Sequence, residues 1–145
     1  MVRRATDDDL KAIITLWRDN ILTSNTPEDI ARAYRKNRKY FFVAENDGKI
    51  LGFVAGTVKS RMRGHISGIA VTPENRGKGI GKGLLGAVEN AFTADGFEKV
   101  TLEVRPSNVE ATNFYEGREY RRMHIVRGYY FDGEDAVNYE KLLKR

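Results

Sequence analysis

The chain has 145 residues, no cysteine and a formal net charge of +5, with a sequence pI near 9.5. That length suits one domain, 1–145, with a substantial core; zero cysteines exclude disulfides, a thiol nucleophile and a cysteine-zinc site, and His65 and His124 are too few and too far apart to suggest a metal. No apolar run reaches membrane-spanning length and Met1-Val2-Arg3-Arg4 leads into acidic residues, so the expectation is a soluble, cytoplasmic protein without a membrane partner, whose basic balance favours a phosphorylated cofactor, nucleic acid or a ribosome.

Val2 to Ala5 reads as a short strand, and Thr6 with Asp9 makes a capping-box-like helix start for the apolar face of Leu10, Ile13, Ile14, Trp17 and Ile21. A second helix begins at Thr26-Pro27-Glu28-Asp29, with Thr as cap and Pro at the first helical position, and is expected to reach about Asn37. Tyr40 to Glu45 and Lys49 to Lys59 are β-rich runs joined by Asn46-Asp47-Gly48, a strong hairpin signal. Arg61 to Gly64 turns into a third strand, making a meander.

That third strand opens the stretch around which the chain is organised, His65 to Leu85. Ile69-Ala70-Val71 is stopped by Pro73, glycines follow at every second position from Gly77 to Gly83, and a helix begins whose face is Ile80, Leu84, Leu85, Val88 and Phe92, with Asp95-Gly96 as its stop. Glycines at a helix start let backbone amides converge on a ligand, and Arg76, Lys78 and Lys82 add positive charge, so this is read as a phosphate or pyrophosphate site. The plain alternative is a tight turn with solvated lysines. The Walker pattern fails, because Gly81-Lys82 would need a glycine at Arg76 and Ser or Thr at Gly83; Gly81, Gly83 and Gly86 spell GxGxxG, but inside the helix rather than at the strand-to-helix turn.

Lys99 to Arg105 alternates Val100, Leu102 and Val104 with Thr101, Glu103 and Arg105, so strand, helix and strand form a βαβ unit with two parallel strands. Ser107-Asn108 caps a helix from Val109 to about Tyr115. Met123 to Phe131 and Ala136 to Leu143 read as a closing hairpin around Asp132-Gly133-Glu134-Asp135. The fold class is therefore α/β: a mixed, mostly antiparallel sheet with a central parallel βαβ unit and helices on both faces.

Arg76-x-x-Gly79-x-Gly81 directly after a strand resembles the acetyl-CoA pyrophosphate loop of the GNAT superfamily of N-acetyltransferases. Leu102-Glu103-Val104-Arg105-Pro106-Ser107-Asn108, followed by Ala111, Phe114 and Tyr115, is similar to that family's second signature, and Tyr129 to Ala136 resembles the YY-x-DGEDA segment of its N-terminal protein acetyltransferases, a group that includes the ribosomal-protein alanine acetyltransferases. The resemblance covers most of the chain from Phe42 onward and is weak in the first two helices. It implies that Ile69, Ala70 and Val71 offer backbone groups to the acetyl and pantetheine arm, that Arg76, Gly77, Lys78, Gly79, Ile80, Gly81 and Lys82 hold the pyrophosphate, and that Asn108 contacts the pantetheine. It further implies Glu103 as general base and Tyr115 as general acid, with Tyr129 and Tyr130 beside the acceptor. One departure stands out: Glu119-Tyr120 replaces the family's usual Gly-Phe.

Direct attack by an amine on a thioester fits a chain without cysteine. An α-amine of pKa ~7.7–8.0 is part-neutral at pH 7, and a phenol of pKa ~10 can protonate a departing thiolate. Taken without the resemblance, Glu103 is simply a polar residue opposite an apolar strand face, Tyr115 a core aromatic, Tyr129 and Tyr130 packing for the hairpin, and His65 either structural or an alternative base. The resulting expectation is transfer of acetyl from acetyl-CoA to a primary amine, above all the N-terminal α-amine of a protein, with ribosomal proteins among the candidate acceptors. A small-amine or lysine acetyltransferase and a non-catalytic acetyl-CoA sensor stay open. Dispersed basic residues argue against nucleic acid as the main ligand, and the protein is expected as a monomer or homodimer.

Overall fold

The computed structural model describes residues 1–144. Its elements are β1 (Val2–Arg4), α1 (Leu10–Asn20), α2 (Pro27–Lys36), β2 (Phe41–Asn46), β3 (Lys49–Ser60), β4 (Arg63–Val71), α3 (Ile80–Ala94), β5 (Lys99–Val104), α4 (Val109–Glu116), β6 (Arg121–Val126) and β7 (Ala136–Leu142). The caps act where the sequence places them. The Thr6 amide donates to Asp9 Oδ2 at 2.7 Å ahead of α1, Thr26 and Asp29 cap each other reciprocally ahead of Pro27, and Asn108 Oδ1 accepts from the Ala111 amide at 3.1 Å. Each satisfies an amide that a helix start would otherwise leave unpaired.

The strands form one sheet in the order β1-β2-β3-β4-β5-β7-β6. Every neighbouring pair is antiparallel except β4 and β5. Asp47 and Gly48 between β2 and β3 both have positive φ, 51° and 78°, as a two-residue hairpin turn matched to strand twist requires. On one face, α1 and α2 pack Ile13, Trp17, Ile30 and Tyr34 onto Phe41, Val43, Phe53 and Ala55. On the other, α3 contributes Leu84, Leu85, Val88 and Phe92 to a core with Val54, Ile66, Val100, Leu102 and Tyr139, and α4 adds Tyr115. The helices therefore cover both faces.

The parallel pair is short. Register runs Arg63 with Lys99, Gly64 with Val100 and His65 with Thr101, and then stops, although β4 continues to Val71 and β5 to Val104. A register shift in β4 against β3 coincides with the break: Gly56 pairs with Ile66 but Ala55 with Gly68, leaving Ser67 as the extra residue. A bulge of this kind turns a strand and reverses which face its side chains occupy. Before it, Ile66 faces α3; after it, Ile69 and Val71 face α3 while Ala70 packs with the α1 side. A side chain at Gly68 would come within 3.1 Å of the Trp17 ring on α1. The strands diverge past this point, and a cleft opens between their carboxyl ends.

The closing hairpin differs from expectation. β6 starts at Arg121 and ends at Val126, so Tyr129, Tyr130 and Phe131 lie in the connection to β7 rather than in a strand. The cause is a set of bonds that compete with the ladder: Gly133 N–H donates to Tyr130 O (2.8 Å), Tyr130 N–H to Glu134 O (3.1 Å), and Arg105 Nη1 to Asp132 and Glu134. The turn after α4 also has a cost. Glu119 sits at φ 72°, in the left-handed region that favours glycine.

Two stability predictions arise here. Glu119→Gly should raise stability by about 1 kcal/mol by removing a left-handed non-glycine residue, seen as a higher urea midpoint at unchanged slope. Gly64 faces the Phe92 ring, three of whose carbons would stand 2.7 Å from an added Cβ. Gly64→Ala should therefore destabilise by about 1–3 kcal/mol through overpacking, measured in the same titration.

Candidate active site

The cleft between the diverging strands has a volume of about 850 Å³. Its walls contain Ile69, Ala70, Val71, Arg76, Gly77, Gly79, Ile80, Gly81, Lys82 and Asn108, together with Glu103, Tyr115 and Tyr130. Of the residues singled out from sequence, Lys78 and Tyr129 fall outside that lining. Lys78 Nζ donates to Asn75 Oδ1 at 3.3 Å.

Gly77 and Gly79 have φ of 77° and 86°, with nothing within 4 Å of a notional Cβ at either. Glycine is needed there for conformation, not for space. Gly81 is different: it lies inside the first turn of α3, where a Cβ would only touch the Phe114 ring at 3.6 Å. The first backbone amide to find a helix acceptor is that of Gly83, which donates to Gly79 O. Amides from Gly77 to Lys82 thus stay without a backbone acceptor among the described residues. Together with the helix dipole, they form a surface suited to a phosphate group. The Arg76 guanidinium, by contrast, is engaged: Nε donates to Val71 O (3.0 Å) and Nη2 to Asn20 Oδ1 (3.1 Å). Arg76 fastens the loop to the end of α1.

Glu103 and Tyr115 approach the cleft from opposite faces of the sheet. Leu102 and Val104 point into the α3 core, so strand alternation sends Glu103 to the other face. There its carboxylate is held by three donors: His65 Nε2 at 3.0 Å, Tyr129 OH at 3.2 Å and Asn138 Nδ2 at 2.8 Å. His65 is buried beneath it, and its Nδ1 lies 2.8 Å from Thr101 Oγ1. A carboxylate can only accept, so Nε2 carries the proton, and in the neutral ring Nδ1 accepts from the threonine hydroxyl. Burial would raise the Glu103 pKa, but hydrogen bonds from His65, Asn138 and Tyr129, with the His65 charge when protonated, outweigh it and hold the carboxyl at about 2.

Tyr115 presents the contrast. Five tyrosines are buried: Tyr34, Tyr40, Tyr115, Tyr120 and Tyr139. Four of them give their hydroxyl to a carboxylate, respectively Asp7, Asp95, Glu89 and Glu116. Tyr115 is 7% exposed and its hydroxyl has no hydrogen-bond partner among the described residues, while its side chain borders the cleft. Burial pushes its pKa upward, so it stays a protonated donor across the working pH range.

A second wall near Glu103 comes from the connection between β6 and β7. Arg105 Nη1 donates to Asp132 Oδ2 (2.8 Å) and Glu134 Oε1 (3.0 Å), and its guanidinium lies 4.0 Å from the Tyr130 ring centroid. Tyr129 packs edge-on against Tyr130 at 4.9 Å. Arg105 thereby sets the loop so that Tyr129 reaches Glu103. Ile21 and Leu22, just past α1, border the cleft on the other side.

Sequence reasoning left His65 undecided and missed Asn138 and Thr101. The available signal was polar alternation: His65 on one strand, and Thr101 and Glu103 on its parallel neighbour, interrupt otherwise apolar runs.

Comparison with known proteins decides the family. Residues 9–120 match the acetyltransferase (GNAT) family. The chain belongs to the GNAT family and is an N-acetyltransferase. It is 36% identical over 138 residues to an uncharacterised N-acetyltransferase of Methanocaldococcus jannaschii, covering 94% of this chain and 88% of that one. An N-alpha-acetyltransferase of Saccharolobus solfataricus is 32% identical over 147 residues, with 93% and 88% covered. The structure of Ard1 from Thermoplasma volcanium superposes with a TM-score of 0.95 over 100% of this chain and 98% of that one, at 24% identity.

For this GNAT chain the Glu103 cluster predicts a specific acid response. A carboxyl depressed from 4.5 to about 2 in the fold is stabilising above its unfolded pKa, and that stabilisation is lost as pH falls through the folded value. Unfolding titrations should show the wild-type midpoint dropping relative to Glu103→Gln as pH is lowered from 4.5 towards 2, with a constant difference above pH 5.5.

Proposed function

We propose that the chain transfers the acetyl group of acetyl-CoA to the N-terminal α-amine of a protein. The observation that carries this reading is the approach of Glu103 and Tyr115 from opposite faces to one gap between two strands. A proton-accepting side and a proton-donating side are thereby separated by the place where a thioester can lie. The unpaired amides of Gly77 to Lys82 suit the pyrophosphate, and the edge of β4 from Ile66 to Val71, released from β5, offers backbone groups to the pantetheine arm and acetyl carbonyl, with Asn108 at the opposite wall.

The acceptor amine would enter on the Glu103 face, between Ile21 and Leu22 on one side and Tyr129 and Tyr130 on the other. Its nitrogen forms a bond to the carbonyl carbon as the carbon–sulfur bond breaks. The proton leaving nitrogen goes toward Glu103, and the sulfur receives one from Tyr115. A carboxylate held at about 2 by three donors is a weak direct base, which favours a water between amine and Glu103. His65, Thr101 and Asn138 then act as positioning residues that fix the carboxylate. The resemblance of the Tyr129–Ala136 segment to N-terminal acetyltransferases and the S. solfataricus N-alpha-acetyltransferase relative support a protein acceptor. The basic surface is compatible with a ribosomal one.

Thiol release from acetyl-CoA tests the proposal, using short peptides with varied free N-termini beside polyamines, amino acids and lysine peptides with blocked α-amines. Turnover should require a free N-terminus. Tyr115→Phe should lower kcat at least about 10²-fold, the usual contribution of a positioned acid, with acceptor KM little changed. Turnover confined to small amines or lysine would overturn the acceptor assignment.

A further inference from the structure

The sheet has two edges, and they differ. β1 is three residues long, and the Met1 amine closes its end by donating to Glu45 O at 2.9 Å. β6 has six residues and pairs only with β7, so the N–H and C=O groups on its other side have no strand partner. Every residue from Arg121 to Ile125 is exposed, and the large apolar side chains of Met123 and Ile125 are 51% and 52% exposed. Edges that must stay free are guarded by shortness, charge or a bulge. The arginines and the bulge at Met123 fit that role, but two bare apolar side chains in the same strand do not.

One face of the sheet is also uncovered here. The core beneath α1 and α2 draws on β2, β3 and Ala70 of β4, and on no residue of β5, β6 or β7. Directly paired residues share a face, so Thr101, Glu140 and Arg121 form one row on this bare side. Glu140 is the carboxylate of that row, and Lys99 Nζ takes it at 3.1 Å. Arg121 is left without an ion pair among the described residues. Arg122 points to the opposite face, where it reaches only Glu116, at 4.0 Å, and that same oxygen already accepts from Tyr139 OH at 2.6 Å. The β6 edge is thus cationic on both faces, with apolar side chains beside the charges.

We propose that β6 is a docking edge that takes an extended, acidic segment of a partner protein as an added strand. Successive residues of a strand point to opposite faces. Two adjacent acidic residues in the partner would therefore meet Arg121 on one face and Arg122 on the other, while apolar residues beside them cover Met123 and Ile125. A polypeptide satisfies both the N–H and the C=O groups of the edge. A nucleic acid offers phosphates to the arginines but leaves the carbonyls unpaired, and β6 carries no Phe, Tyr or Trp on which a base could stack. A second copy of this chain would set like charges against each other across the new pairing, which is unfavourable. The proposal concerns a surface outside the cleft and stands apart from the acetyl-CoA reading.

The test is an NMR titration of the isotope-labelled protein with a short peptide, blocked at both ends, that carries two adjacent Glu on either side of a Val-Thr-Val centre. Binding should shift and protect from exchange the amides of Arg121 to Val126, and should weaken as salt rises. The same peptide with alternate backbone nitrogens methylated keeps its charge but cannot complete a strand, and it should not bind. Arg121→Glu combined with Arg122→Glu should lower affinity at least about 10-fold, because two cross-strand attractions become repulsions. A peptide with Lys in place of Glu should then bind the double variant and not the wild type, which also shows that the variant is folded. No binding to the wild type, binding that survives backbone methylation, or tighter binding of a single-stranded RNA at β6 would each overturn the proposal. So would a dimer of the free protein that protects the β6 amides. All of these outcomes leave the acetyl-CoA reading standing.

Discussion

Everything chemical in this molecule depends on the early end of one hydrogen-bond ladder. Had β4 and β5 stayed in register beyond His65 and Thr101, their edges would have satisfied each other and left neither room nor donors for a ligand. Unpaired backbone inside a sheet is unfavourable unless something else satisfies it, and here the vacancy lies between the amides of the glycine loop and the two candidate acid–base residues. The Ser67 bulge is the local device: by reversing side-chain parity in mid-strand, it lets β4 serve the α3 core at both ends and still bend away from β5.

The two candidate acid–base side chains are prepared in opposite electrostatic senses. Glu103 is surrounded by donors, which keeps it charged although it is largely buried, with 13% of its side chain exposed. Tyr115 is surrounded by apolar groups and aromatic edges, including Tyr120 and Phe114, which keeps it neutral. The other buried tyrosines show what Tyr115 would do if its hydroxyl served only to support the fold: each reaches a carboxylate. The Tyr115 hydroxyl instead has no partner among the described residues, and its side chain borders the cleft.

Much of this arrangement was legible in the amino-acid sequence, for reasons that are local. Caps at Thr6, Thr26 and Asn108, the Asp47-Gly48 turn and the glycines at 77 and 79 act within a few residues, so they can be read one by one. The βαβ unit followed from period and order alone. What was not legible depends on neighbours far apart in the chain. His65 meets Glu103 only because β4 and β5 lie side by side in one register, and Asn138 joins them from a third strand. Tyr129 to Phe131 has strand-like composition, yet Arg105, more than twenty residues earlier, draws the following turn onto the end of β5.

The division of labour among the segments has a consequence for how such a molecule can change. The glycine loop, the released strand edge, Glu103 and Tyr115 all come from one continuous stretch, β4 through α4, which the parallel pair holds together. The walls that an acceptor would meet come from two other places, the chain after α1 and the connection before β7, each joined to that stretch by few fastenings, such as Arg76 to Asn20 and Arg105 to Asp132. Tyr129 apart, which also donates to Glu103, residues in those walls can be exchanged while the glycine loop, Glu103 and Tyr115 keep their own supports, so a new acceptor would require new surfaces at the rim rather than a new cleft.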